Sequence, residues 1–116
     1  MLREETIMDN SIKEARNWRV HPGQILREEF LKPMQLSVYQ LAKELHVPAP
    51  RLNDVVLQKR GVSADTAIRL AKFFGTSEQF WLGLQAAYEV SVAKEELRNE
   101  IGQIKPWQPD DHRTRA

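Results

Sequence analysis

Arg51, Asn53 and Asp54 place three different hydrogen-bonding head groups close together in the chain, and Lys59 and Arg60 follow a few residues on. An arginine can span the O6 and N7 edge of guanine, an asparagine the N6 and N7 edge of adenine, and an aspartate can accept from cytosine N4. Basic residues just beyond such a set are placed to neutralise phosphates. The chemistry these residue types point to is recognition of a double-stranded nucleic acid rather than catalysis.

Side chains with this task need a rigid element to aim them, and the surrounding pattern predicts one. Leu52, Val55 and Val56 fall on one side of a short helix from Ala49 to about Leu57, which leaves Ala49, Pro50, Arg51, Asn53 and Asp54 toward the outside. Upstream, Ser37 and Gln40 have the spacing of a capping box, and Val38, Leu41, Ala42 and Leu45 make an i, i+3, i+4, i+7 stripe. Only His46-Val47-Pro48 joins the two. Two short helices linked by so short a turn are the sequence form of a helix-turn-helix, whose second helix offers its first residues to base edges in the major groove. Gln40 has two readings: a contact to a phosphate or base edge, or the return bond of the capping box.

No segment alternates in the manner of a strand, so the chain reads as all-α. Pro22 suits the first position of a helix running to about Leu31, with Ile25, Leu26 and Phe30 inward and Pro33 forcing its end. Gly61 breaks the chain, and Ser63 caps a helix carrying Ala67, Leu70, Ala71 and Phe74. Gly75 closes that helix and Ser77 opens a fifth, with Phe80, Trp81, Leu84 and Tyr88 on its apolar face. Val92, Leu97, Ile101 and Ile104 continue the stripe, as one long helix or one that breaks once, until Gly102 and Pro106. The expected division is a loosely packed charged arm over 1–20, a helix-turn-helix domain over 21–92, a helical extension over 93–105, and a disordered tail over 106–116.

The 116 residues are about the size of one domain, and 41% hydrophobic with 28% charged residues excludes a wholly disordered or collagenous chain. No cysteine is present, which removes disulfides, thiol catalysis and thiolate zinc sites. No apolar run reaches the roughly 18 residues of a membrane span, and the N-terminus has no apolar signal stretch, so the expected location is cytoplasmic, without membrane association. Net charge is only +1, but residues 43–72 hold six basic and three acidic side chains while the remainder is slightly acidic. One basic face for a polyanion is the implication.

Catalysis finds no support. His21, His46 and His112 are scattered, without metal-ligand spacing, and are read as surface or capping residues. The five glycines form no phosphate-cradling loop. Glu28-Glu29 and Glu95-Glu96 are adjacent pairs that point to different helix faces. Phe73, Phe74, Phe80 and Trp81 read as core packing. No cofactor and no metal are expected, and the protein is not read as an enzyme.

The stretches Val47-Pro48-Ala49-Pro50-Arg51-Leu52-Asn53-Asp54-Val55-Val56, Lys59-Arg60-Gly61-Val62-Ser63-Ala64-Asp65-Thr66-Ala67 and Phe74-Gly75-Thr76-Ser77-Glu78-Gln79-Phe80-Trp81-Leu82-Gly83-Leu84-Gln85, with His21-Pro22-Gly23-Gln24-Ile25-Leu26 before them, resemble the HigA antitoxin family. Some members are labelled virulence-associated protein I, and the similarity covers about residues 20 to 92. The resemblance implies a five-helix Cro/repressor-like helix-turn-helix bundle. It also implies a dimer that represses its own operon at a double-stranded DNA operator and neutralises a HigB-type toxin, usually an mRNA endonuclease. Pro50 departs from the family pattern where a polar residue is common, and Gln58 where glycine is common.

Two classes of function follow: a sequence-specific repressor acting as an antitoxin, or a protein-interaction module that uses the helix-turn-helix only as a scaffold. The low net charge and Pro50 point to the second, and the basic excess of residues 43–72 to the first. Specific recognition favours two half-sites, so a homodimer closed mainly by residues 84–104, through Tyr88, Val92, Leu97, Ile101 and Ile104, is expected. In the arm, Ile7, Ile12 and Trp18 are the sparse apolar anchors expected to order on a toxin; the alternatives are an arm packed against the first and fifth helices, or a toxin site on the C-terminal extension.

Overall fold

Pro22 takes the first position of α1 (Pro22–Ile25), where its missing N–H costs nothing, and the His21 Nδ1 accepts the Gly23 N–H at 2.9 Å as the N-cap. The structure, a computed structural model, describes residues 20–109. The arm with Ile7, Ile12 and Trp18, and the tail beyond residue 109, lie outside the described residues.

The first helix does not stop before Pro33. It continues through a π-helical stretch (Leu26–Leu31) into α2 (Lys32–Met34) and ends at Gln35, in the left-handed region with φ 53°. In the wider turn the Lys32 N–H reaches back to the Arg27 carbonyl, five residues away. That turn accommodates both the absent Pro33 donor and the ring's clash with the preceding turn, so the proline is absorbed instead of ending the helix.

The next helix is α3 (Val38–Leu45), which begins in the expected capping box. The Ser37 Oγ accepts the Gln40 N–H at 3.0 Å, and the Gln40 Oε1 accepts the Ser37 N–H at 2.9 Å. Leu41, Ala42 and Leu45 are buried, and Val38 is half-buried. His46 turns the chain at φ 60°, and α4 (Ala49–Val56) buries Leu52, Val55 and Val56. The chain then reverses at Gln58, with φ 64°, earlier than the break expected at Gly61. Ser63 caps α5 (Ala64–Phe74), and Gly75 closes it at φ 76°. Ser77 caps α6 (Glu78–Glu96), and the stripe breaks once, at Leu97, before α7 (Arg98–Gly102). All elements among the described residues are helical.

Trp81 lies at the centre of the core, fully buried, with its Nε1 donating to the Thr76 Oγ1 at 2.8 Å. Phe30, Phe74 and Phe80 surround it at ring separations of 5.0 to 6.2 Å, so these aromatic residues pack the core as expected, while Phe73 stays 37% exposed. The approach of α1 to α4 is closer than any side chain allows: a Cβ on Gly23 would lie 1.9 Å from the Val55 carbonyl oxygen. That glycine brings the first helix onto the back of α4 and fixes the direction in which its outer side faces. No helix among the described residues is long and apolar enough to cross a membrane.

Candidate nucleic-acid interface

The α3–turn–α4 unit carries the predicted site, and α5 braces it from behind. Arg69 Nη1 donates to the Leu45 carbonyl at 2.7 Å and approaches that of His46 at 3.4 Å, so it satisfies the last carbonyls of α3 at the turn. Its Nε donates to Asp65 Oδ1 at 2.7 Å, and Arg51 Nη2 reaches the same oxygen at 2.7 Å and the Thr66 Oγ1 at 2.9 Å. One carboxylate therefore ties the first turn of α4 to the turn before it. Hydrogen bonds from Arg69 and then Arg51 hold the Asp65 carboxyl below its ordinary range.

The predicted contact residues divide by environment. Asn53, Lys59 and Arg60 are exposed. Ala49 is half-buried against the core, and Asp54, also half-buried, faces Arg60 at 3.8 Å. Gln40 is exposed, with its side chain spent in the capping box. Arg51 is folded back, its side chain 28% exposed. Both two-nitrogen edges of a guanidinium include Nη2, so spanning guanine O6 and N7 requires Arg51 to release one of its present bonds.

Asp65, Thr66 and Arg69 were not among the predicted site residues. The i, i+4 spacing of Asp65 and Arg69 is legible in the chain, but a helical ion pair says nothing about a third partner on another helix.

The predicted dimer residues also divide. Tyr88 is half-buried, its ring edge-on to buried His21 with centroids 4.9 Å apart, so it already serves the chain's own fold. Val92 is half-buried, whereas Leu97, Ile101 and Ile104 are 45%, 44% and 70% exposed. Among the described residues no group of three or more His, Asp or Glu side chains is placed to hold a metal ion.

Comparison with known proteins places this arrangement among relatives. A helix-turn-helix family model matches residues 28–81. Virulence-associated protein I of Dichelobacter nodosus is 48% identical over 91 residues, covering 78% of this chain and 83% of that protein. The Pseudomonas aeruginosa antitoxin HigA, solved with the higBA promoter, superposes with a TM-score of 0.73 at 46% identity, over 77% of this chain and 98% of that one. The antitoxin GraA in complex with its operator gives a TM-score of 0.71 at 41% identity, over 77% of this chain and 91% of that one.

Proposed function

The chain belongs to the helix-turn-helix family that includes virulence-associated protein I and the HigA antitoxins, and from that premise we propose that it is a sequence-specific transcriptional repressor acting as the antitoxin of a toxin–antitoxin module. It binds the operator of its own operon and neutralises an mRNA endonuclease toxin. The observation that carries this is the braced α3–turn–α4 unit, with Asn53, Lys59 and Arg60 exposed along one segment. Its activity is binding, with no catalytic step.

Within this function Asn53 reads an adenine edge, while Lys59 and Arg60 neutralise phosphates. Arg51 contacts DNA through Nη1 or Nε while Nη2 stays on Asp65, and Gln40, Ala49 and Asp54 border the groove. The unit spans residues 21–92 and pairs with a second copy mainly through residues 84–104. The arm, through Ile7, Ile12 and Trp18, contributes the toxin contact.

The test is titration of a labelled duplex from the promoter upstream of its own gene, against a scrambled duplex at several salt concentrations, with co-purification of the neighbouring gene's product. Equal affinity for both duplexes at every salt concentration refutes the repressor, and a neighbouring product that neither binds nor is neutralised refutes the antitoxin.

A further inference from the structure

The loop between α4 and α5, which carries Lys59 and Arg60, is held at both ends by different parts of the fold. At its start the Lys59 and Arg60 N–H groups both donate to the Asp54 carbonyl, at 2.8 and 3.2 Å. At its end the Val62 side chain is buried, and the Val62 N–H donates to the Gln85 side-chain Oε1 at 2.7 Å. Gln85 belongs to α6, 23 residues further along the chain. Its amide has a defined sense, because its Nε2 donates to Glu89 Oε2 at 2.8 Å, one helical turn on. It also lies flush on the loop backbone: a Cβ on Gly61 would meet the amide atoms at 2.7 to 2.8 Å. Glycine at 61 therefore provides room for a side chain from another helix, not for an unusual backbone angle.

We infer that Gln85, oriented by Glu89, is a positioning residue for phosphate contact: it holds the loop so that Lys59 and Arg60 present their charges at fixed places. The inference rests on the DNA-binding function proposed above. It assigns a task to Gln85, the last residue of the Phe74–Gln85 stretch that carries the family resemblance, and it makes α6 part of the nucleic-acid interface without touching DNA. A lost anchor leaves the Val62 N–H without its acceptor and lets the loop sample arrangements in which neither cation sits on a phosphate. Phosphate contacts are counted by the salt dependence of binding, because each neutralised phosphate releases counterions whatever the base sequence.

The experiment measures log K against log salt for the full chain on the promoter duplex and on a scrambled duplex. Gln85→Leu is expected to reduce the slope by about one to two units on both duplexes. Glu89→Ala, at an exposed helical position where alanine is well tolerated, moves the slope the same way by a smaller amount and decides the matter if Gln85→Leu does not fold. Adding Gln85→Leu to a Lys59→Ala/Arg60→Ala background is expected to change the slope no further. Unchanged slopes in folded single variants, or a further loss in the combined variant, overturn the inference. A wild-type protein that binds both duplexes equally refutes sequence-specific repression but leaves the slope comparison readable on either. Failure to bind any duplex overturns both.

Discussion

The guanidinium of Arg51 and the carboxylate of Asp65 meet at 2.7 Å across the loop between α4 and α5, and Asp65 shares that same oxygen with Arg69. The first turn of α4 is thus locked to the turn of the helix-turn-helix, since Arg69 also holds the Leu45 carbonyl. A pre-set recognition helix spends less of its binding free energy on ordering.

Arg51, proposed as a base contact, is also one arm of this lock, so its removal and the removal of Asp65 are expected to have different signatures. Arg51→Ala is expected to weaken promoter binding by about 1–3 kcal/mol and to relax preference at one base position. Asp65→Ala leaves Arg51 with only its Thr66 bond and cuts its link to Arg69, and is expected to lower the ratio of promoter to scrambled-duplex affinity about tenfold, or about 1.4 kcal/mol. Anisotropy titrations with single-base-substituted duplexes check both; a promoter-to-scrambled ratio unchanged in Asp65→Ala would show that the lock has no part in recognition.

His21 is expected to make the fold sensitive to mild acid. Burial lowers its pKa below the ordinary 6.5, and its Nδ1 accepts the Gly23 N–H. Protonation places a donor against that donor. The unfolded chain therefore takes up its proton first as pH falls, and the contribution is complete above about 6.5 and lost as pH falls through the lower folded value. Urea midpoints at pH 7.5 and 5.0 should drop for the wild type, and drop less for His21→Asn, which keeps an N-cap acceptor without titrating. Identical drops would remove His21 from the account.

Gln58 adopts φ 64° at the exit of α4, a conformation that disfavours any residue with a Cβ. It is exposed, so its side chain has little packing to lose. Gln58→Gly is expected to stabilise the fold by about 0.5–1 kcal/mol, the relief of strain exceeding glycine's entropy cost. Thermal denaturation should show an increase of a few degrees, and a lower melting temperature would contradict the strain.

Leu97, Ile101 and Ile104 leave an apolar strip on the extension at 45%, 44% and 70% exposure. The homodimer proposed through residues 84–104 covers it. Sedimentation is expected to give a dimer at micromolar concentration and a monomer after truncation following Val90, with operator affinity reduced by well over tenfold as the second half-site is lost. A monomeric full-length chain would rule this arrangement out.

Local chemistry was legible from the chain itself. Ser37, Ser63 and Ser77 each cap a helix by accepting an N–H three residues on, and the stripes of α3 and α5 follow from helical spacing. These interactions close within four residues, so residue order determines them. The short turn between α3 and α4 belongs to the same class. Pro33 and Gly61 show where local rules stop: one was absorbed by a π-turn, and the other makes room for Gln85. What Arg51, Asp65 and Gln85 do was decided only by the tertiary structure. The partners that set these roles, Asp65 and Thr66 for Arg51 and Val62 for Gln85, lie 14 or more residues away, and a charged or amide side chain has many partners in reach until packing leaves one. The buried cores of α4, α5 and α6 make that choice by fixing the helices against one another, and no periodicity in the sequence records which polar atoms then face each other.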